Sequence, residues 1–277
     1  MNESPIKIKS IVLTIIISQL ILLVSFIAVY FNNSTQIVFC DVGQGDGIYI
    51  RIKNRFDIII DAGPDNRIVN CLGKYMPFYD HEIELAILTH PQLDHYGGFL
   101  SLVDRYRINN FATINIESKS QRFQLLKKKL SDKKVPFSYP VSGDVMNILG
   151  DELVFYWPIN KMVSQSNMND DVLIFMFKEV DFKALFTADA SYQTLNSLKI
   201  KNKVDLLKVP HHGSKNGLNK SFLQLADPHV AVISVGKNNS YGHPHQETLG
   251  SLKTKKIEIK RTDKDGDVVF KLPNRSN

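Results

Sequence analysis

The sequence predicts an α/β fold of stacked sheets with helices outside, preceded by one N-terminal transmembrane helix. Three observations predict it. A long uncharged apolar run lies near the N-terminus, a strand-rich first half gives way to alternating strands and helices, and metal-ligand side chains recur where strands end. At 277 residues, 43% apolar and 22% charged, the chain can build a substantial core and is not of disordered or fibrous composition. The formal net charge is +6, and basic residues collect at Lys127–Lys129, Lys133–Lys134, Lys199–Lys208 and Lys253–Lys264. That balance favours polyanionic partners such as nucleic acid, teichoic acid or an anionic membrane surface.

The apolar run, Ile11 to Phe31, holds 21 residues without a charge. As a helix it would extend about 30 Å, enough to cross a hydrocarbon core. Lys7 and Lys9 precede it and no Lys or Arg follows until Arg51, so the positive-inside rule puts the N-terminus in the cytoplasm. The run ends Ala28-Val29-Tyr30-Phe31-Asn32, without a small-x-small cleavage site, which favours an uncleaved anchor over a signal peptide. The expected organisation is a cytoplasmic N-terminus (1–10), a single-pass anchor in the cell membrane (11–31), a linker (32–36) and an extracytoplasmic domain (37–277).

After the linker the pattern changes to short strands. Ile37 to Cys40 and Gly47 to Ile52 flank the glycine-rich turn Asp41-Val42-Gly43-Gln44-Gly45-Asp46, and Asp57 to Ile60 ends in Asp61-Ala62-Gly63. Later strands read at Phe111–Ile116, Leu153–Trp157, Val172–Phe177, Ala184–Thr187, Asp205–Val209 and Val230–Val235. Helices read near Phe99–Arg105, Arg122–Leu130, Tyr192–Lys199 and Leu218–Leu225. The two cysteines, Cys40 and Cys71, fit no zinc or redox spacing. Cys40 lies in an apolar strand-like run and reads as a buried free thiol. A bridge to Cys71 would need an oxidising compartment, and the sequence leaves that open.

The chemistry concentrates in His90-Pro91-Gln92-Leu93-Asp94-His95, which follows the apolar run Leu85 to Leu88 and precedes Gly97-Gly98. Two imidazoles and a carboxylate converging on one turn are costly to bury unpaired, and a divalent cation is their natural partner. Three later signals agree: Asp189 after Ala184 to Ala188, His211-His212-Gly213-Ser214 after Leu206 to Pro210, and His243 closing the loop after Ser234-Val235-Gly236. Ligand sites in layered α/β folds gather at such strand ends. A dinuclear centre, with ions about 3.5–4 Å apart, needs a bridging carboxylate and two nitrogen-rich sets. His90, Asp189 and one of His211 or His212 would form one set; Asp94, His95, Asp189 and His243 the other. His81, His229 and His245 have no such context and read as surface residues.

These motifs resemble those of metallo-β-lactamase-fold hydrolases, and specifically the soluble domain of ComEC-type DNA-uptake proteins. The matching residues are Asp41 to Asp46, Thr89-His90-Pro91 with Asp94-His95 and Gly97-Gly98, and Leu207 to Ser214. Ser234-Val235-Gly236 with Asn239 and Tyr241 to Pro244, then Arg261-Thr262-Asp263 with Gly266, complete the series. The resemblance spans about residues 36–272 and implies an αββα metallo-β-lactamase sandwich with a dinuclear metal site at one edge. For the ComEC group it further implies phosphodiester hydrolysis, of the DNA strand not taken up. Two residues depart from the pattern. Gln92 stands where His or Asp is usual and is at most a weak ligand, so one ion would bind loosely or not at all; Gly47 stands where serine is usual. One predicted span cannot form a DNA-conducting pore, so any uptake role would need a separate channel.

The expected cofactors are two divalent ions, zinc or manganese, on His90, Asp94, His95, Asp189, His211 and His243. His212 and Asp94 would act in catalysis, the unliganded member of the His211/His212 pair holding the phosphate or protonating the leaving group. Asp61 and Asp46 would buttress the ligands, and Asp46 with Gln44 would shape the pocket edge. Ser214, Lys215, Asn239 and Tyr241 are candidate substrate contacts, and Lys208, Lys237 and Arg261 candidate phosphate contacts. The expected partner is DNA or another phosphodiester polyanion. Two alternatives remain: a phosphocholine-type phosphodiesterase on cell-wall polymers, or a nucleic-acid-binding module impaired by Gln92.

Overall fold

A computed structural model describes residues 8–30, 33–116, 118–160, 170–200 and 203–272, with backbone alone at 8–9 and 26–30. In chain order the strands are β1 (Thr35–Phe39), β2 (Gly47–Ile52), β3 (Phe56–Ala62), β4 (Glu82–Ile83), β5 (Leu85–Leu88), β6 (Arg107–Ile108), β7 (Phe111–Thr113) and β8 (Phe137–Ser138). There follow β9 (Val145–Ile148), β10 (Asp151–Trp157), β11 (Ile174–Glu179), β12 (Phe182–Phe186), β13 (Leu206–Lys208), β14 (Val230–Ile233), β15 (Glu258–Arg261) and β16 (Val268–Leu272). The helices are α1 (Ile8–Tyr30), α2 (Arg67–Tyr75), α3 (Leu93–Tyr96), α4 (Phe99–Arg105), α5 (Gln121–Asp132), α6 (Tyr192–Ser197), α7 (Lys220–Ala226), α8 (Gln246–Thr254) and α9 (Thr262–Asp265).

Two sheets of seven strands stack, in the orders β16-β1-β2-β3-β5-β7-β8 and β15-β14-β13-β12-β11-β10-β9. Period-two alternation sorts their side chains into layers. Ile48, Ile50, Ile58, Ile60, Phe175, Phe177 and Phe186 meet between the sheets. From the same strands Tyr49 and Ile59 pack outward with α2, α4 and α5, and Ile174, Met176 and Leu185 pack with α6, α7 and α8. Both faces of each sheet are covered, so the strands read as continuous apolar runs. This is the expected αββα sandwich. The parallel strands β3, β5, β7 and β12 to β14 deliver their following loops to shared edges, as the strand-end motifs require.

Four expectations change. Cys40 is no free thiol: it is bridged to Cys71 of α2, with Cα atoms 5.9 Å apart. Strand and helix limits shift by a residue or more at most ends, because apolar pattern runs on past the last ladder bond. α2, α8, β15 and β16 went unread: α2 carries Gly73 inside a short helix, and β15 and β16 interleave charges with apolar residues at sheet edges. In α1 the described side chains, residues 10–25, are all exposed. Among the described residues no helix is long and apolar enough to cross a membrane, and the expected anchor and N-terminus lie partly outside them.

Candidate metal centre

Asp61 ends β3 and Thr89 follows β5, two neighbouring parallel strands, so their side chains meet. Asp61 accepts from the Thr89 backbone N–H at 2.8 Å, from Thr89 Oγ1 at 2.7 Å and from His95 Nδ1 at 2.8 Å. The Thr89 hydroxyl proton is thereby used, so His90 Nδ1 donates to Thr89 Oγ1, 3.0 Å away. His212 Nδ1 donates to the Ser234 carbonyl at 2.9 Å. In all three rings the Nδ1–H is spoken for, which leaves Nε2 as the nitrogen pointing inward. All three Nε2 atoms are buried without a hydrogen-bond partner.

Two of those atoms converge with two carboxylates. His95 Nε2 lies 3.9 Å from Asp94 Oδ2 and 3.5 Å from Asp189 Oδ2; His212 Nε2 lies 3.3 Å and 3.6 Å from the same two oxygens. Ligands about 2.0–2.2 Å from one tetrahedral ion stand about 3.3–3.6 Å apart, and Asp94, His95 and His212 lie within reach of one divalent metal. His90, His95 and Asp189 also lie within one ion's reach. His211, expected among the ligands, is instead 30% exposed with Nε2 3.8 Å from Asp189, and His243 joins none of the groups that lie within reach of one ion among the described residues.

Backbone conformation places these groups at some cost. Asp61, Ala188, His211 and His212 all have φ between 49° and 53°, a left-handed conformation uncommon for such residues. Gly45 has φ 137°, and a Cβ there would collide with the Asp94 carbonyl, so the turn before Asp46 closes on the ligand loop only as glycine.

The charges are concentrated and mutually dependent. Burial opposes ionisation of Asp189, but His212 and His95, with Lys208, hold its carboxyl well below the usual range. Burial likewise disfavours charge on His95, yet Asp189, Asp61 and Asp94 keep it well above the ordinary value. His212 is raised to about 10 against burial by Asp189, Asp46 and Asp94. Burial, with His95 nearby, drives His90 down to about 3, and burial with His212 and His211 takes His243 to about 4. Two protonated imidazoles among carboxylates are the charge equivalent of one dication.

The structure corrects several expected roles. Lys208 is no phosphate contact: it is buried, paired with Asp46, 3.7 Å from Asp189 Oδ1, and donates to the Ala188 carbonyl at 2.9 Å. Asp46 is not at a pocket edge but buried beneath the ligands, 3.5 Å from His212 Nδ1 and 3.7 Å from His95 Nδ1. Gln44 does bridge the two halves, accepting from Gly236 N at 3.1 Å. Arg261 is taken up by Asp263 at 2.6 Å, and Ser214 is buried with its carbonyl accepting from Thr248 Oγ1. The Asn239 amide is spent on its own loop, donating to the Gly236 and His243 carbonyls and accepting from Tyr241 N and His243 N. Lys215 and Lys237 are exposed, and Gln92 is half-buried outside the four-ligand set. Tyr241 is exposed and stacks on His243, ring centroids 5.8 Å apart. His245 is half-buried, its ring 4.9 Å from that of His243. Thr89 and the Ser234 carbonyl escaped the sequence reading, although Thr89 stands beside His90.

The family model described as the Metallo-beta-lactamase superfamily matches residues 40–237. ComE operon protein 3 of Bacillus subtilis (strain 168) is 26% identical over 270 residues, 90% of this chain and 34% of that protein. Competence protein ComA of Neisseria gonorrhoeae is 24% identical over 87% of this chain and 33% of its own length. The chain therefore spans about a third of the length of these relatives. The metallo-beta-lactamase fold protein YhfI from Bacillus subtilis superposes with a TM-score of 0.59 at 13% identity, over 86% of this chain and 100% of that one, a likeness of fold alone.

Proposed function

Since this chain belongs to the metallo-β-lactamase superfamily, whose members are generally metal-dependent hydrolases, we propose that it is a membrane-anchored, extracytoplasmic phosphodiester hydrolase acting on DNA. The observation that carries the reading is the convergence of Asp94, His95, Asp189 and His212, with both Nε2 atoms lacking any protein partner. Asp94, His95 and His212 would hold one ion; a second would draw on His90 and Asp189, with Gln92 at most a weak addition. Zinc and manganese both suit this mixture of imidazole and carboxylate. Bound there, a divalent metal supplies Lewis acidity toward a phosphate oxygen and lowers the pKa of water.

The chain's own groups do the rest. Asp61, Thr89 and the Ser234 carbonyl fix the ligand rings, and Lys208 with Asp46 sets a constant charge beneath them. His211, kept below its ordinary pKa by burial, stands neutral at the mouth, where a ring N–H would donate to a phosphate oxygen. DNA as substrate draws on the resemblance to competence proteins and on the basic surface. The Cys40–Cys71 bridge supports an oxidising compartment, and anchoring with the N-terminus inside draws on the uncharged run Ile11 to Phe31 behind Lys7 and Lys9. DNA uptake itself would require a separate channel.

The test incubates the full chain in detergent with labelled single-stranded DNA and manganese, zinc or EDTA. Cleavage should require metal and fall more than about 100-fold in Asp94→Ala, together with bound metal. Undiminished cleavage by that variant would sink the reading. A second reading has one observation in its favour: Tyr241, 66% exposed at the mouth, would suit a choline head group through cation–π contact. Bound metal without DNA cleavage directs the search to phosphocholine esters of wall polymers, and no bound metal at all to a binding module.

A further inference from the structure

α1 joins the sandwich at the end opposite the metal-ligand cluster. β1 runs antiparallel to β2 and β2 antiparallel to β3, so β1 points the same way as β3, β5, β7 and β8. Thr35 therefore stands level with the starts of those strands, whereas Asp61 and His90 stand at their ends. From Tyr30 of α1 to Thr35 there are five backbone steps, which reach at most about 18 Å when extended. The seven residues of β3 carry the ligand end about 20 Å further away.

The surface at the α1 end is apolar and basic. Phe78 is 91% exposed and Tyr79 65%, with ring centroids 5.4 Å apart. Their loop follows α2, whose Tyr75 carbonyl accepts from Gln36 Nε2 at the start of β1. Leu149, exposed at the β9–β10 turn, reaches the same end, its carbonyl accepting from Lys53 Nζ of the β2–β3 turn. Beside them a groove of about 680 Å³ is lined by Arg105, Arg107, Lys133 and Lys134. Most acidic groups nearby are engaged elsewhere, Asp80 by Arg51, Asp104 by Lys129 and Asp151 by Lys53; Glu82 pairs with Arg107 at 3.9 Å, which leaves Arg105, Lys133 and Lys134 as the groove's net positive charge.

We infer that this end is a membrane-docking face: Phe78 and Tyr79 enter the headgroup layer, the basic groove meets anionic phospholipid, and the metal centre opens away from the bilayer. Aromatic rings beside lysine and arginine are the side chains that settle at a bilayer surface. A hydrolytic centre held some 20 Å from that surface is presented to soluble or wall-borne polymers and kept from lipid phosphodiesters. The inference rests on reading α1 as an anchor.

Fluorescence on the full chain separates the two claims. Trp157 is the sole tryptophan and ends β10 at the metal-centre end, so it serves as the reporter of that end. The protein is reconstituted with vesicles of phosphatidylcholine and phosphatidylglycerol bearing brominated acyl chains, and flotation scores anchoring. Phe78→Trp should add an emission component that the brominated lipid quenches, while wild-type emission stays unquenched. Flotation without that quenching, or with quenching of wild-type Trp157, overturns the docking face and leaves the anchor standing; failure to float overturns both. Adding Arg105→Glu and Lys134→Glu to Phe78→Trp should remove most of the quenching with bound metal unchanged. Quenching that survives both charge reversals overturns the part assigned to the basic groove.

Discussion

Asp57 and Asp61 lie on one strand, β3, four residues apart, and are satisfied in opposite ways. Asp57, at the α1 end, is closed by a permanent charge: Arg51 lies 2.6 Å away and Tyr49 Oη donates at 2.6 Å. Asp61, at the other end, receives Thr89 and the His95 ring, whose second nitrogen has no protein partner. The first carboxylate completes a structure. The second aims a ring nitrogen at something outside the protein. Two equally buried acids on one strand thus separate a structural role from a ligand-positioning one, and what distinguishes them is whether the chain of partners terminates.

The sharpest way to break the comparison is through Lys208, the buried cation at the metal end. Lys208→Met leaves Asp46 buried without its ammonium, and breaking such a pair costs about 3–5 kcal/mol. Arg51→Met at the α1 end should cost a similar amount. The two should part when metal is added, because an ion bound to the native state stabilises it and replaces some of the lost positive charge only near Asp46. Thermal unfolding with and without metal is the measurement. Equal rescue of both variants would mean that the two ends are not electrostatically distinct.

A smaller effect is expected at the paired acids themselves. Asp61→Asn keeps shape but replaces an accepting oxygen with a donating amide, so Thr89 or His95 loses its partner. Loss of such a buttress typically costs 10–100-fold in metal affinity, readable by competition with a metal indicator. Asp57→Asn should leave metal affinity unchanged. If both variants weaken metal equally, the distinction drawn between the ends fails.

The metal end was the more legible of the two in the sequence, because its residue types are scarce and announce themselves: paired histidines, a carboxylate after an apolar run, glycines on either side. Their order of importance was not legible. Which of His211 and His212 points inward follows from φ near 50° at both and from the Ser234 carbonyl, neither of which residue spacing encodes. Lys208 read as one more surface lysine, since burial of an ammonium depends on Asp46, far away in the chain and on the other sheet's side. The fold class was legible from continuous apolar runs, whereas β16 pairing with β1 was not, being a contact between the two ends of the domain. The α1 end offered no motif; Phe78 and Tyr79 become a feature only once topology places them beside β1.

The finest expected effect concerns protons at the metal end. Without metal, His95 is held well above its ordinary pKa and His212 is raised to about 10, both through carboxylates that outweigh burial. A histidine whose folded pKa exceeds its unfolded value contributes stability fully present below about 6.5 and lost as pH rises toward the folded value. EDTA-treated protein should therefore lose stability from pH 6.5 upward, by at most about 1.4 kcal/mol per pH unit for each imidazole. On the acid side Asp94 and Asp189, both depressed, withdraw their contribution as pH falls below the ordinary carboxylate range. Metal-loaded protein should show no loss above pH 6.5, because its ligands are already deprotonated, and should instead shed metal as protons compete on acidification. The α1 end has its own titrating group, since burial raises Asp57 to about 7 despite Arg51 and Tyr49; its contribution is spent by about that pH, so the two ends separate above pH 7. Melting curves from pH 6 to 9 with and without metal would expose the difference, and parallel curves would mean that the imidazoles carry no protons for an ion to displace.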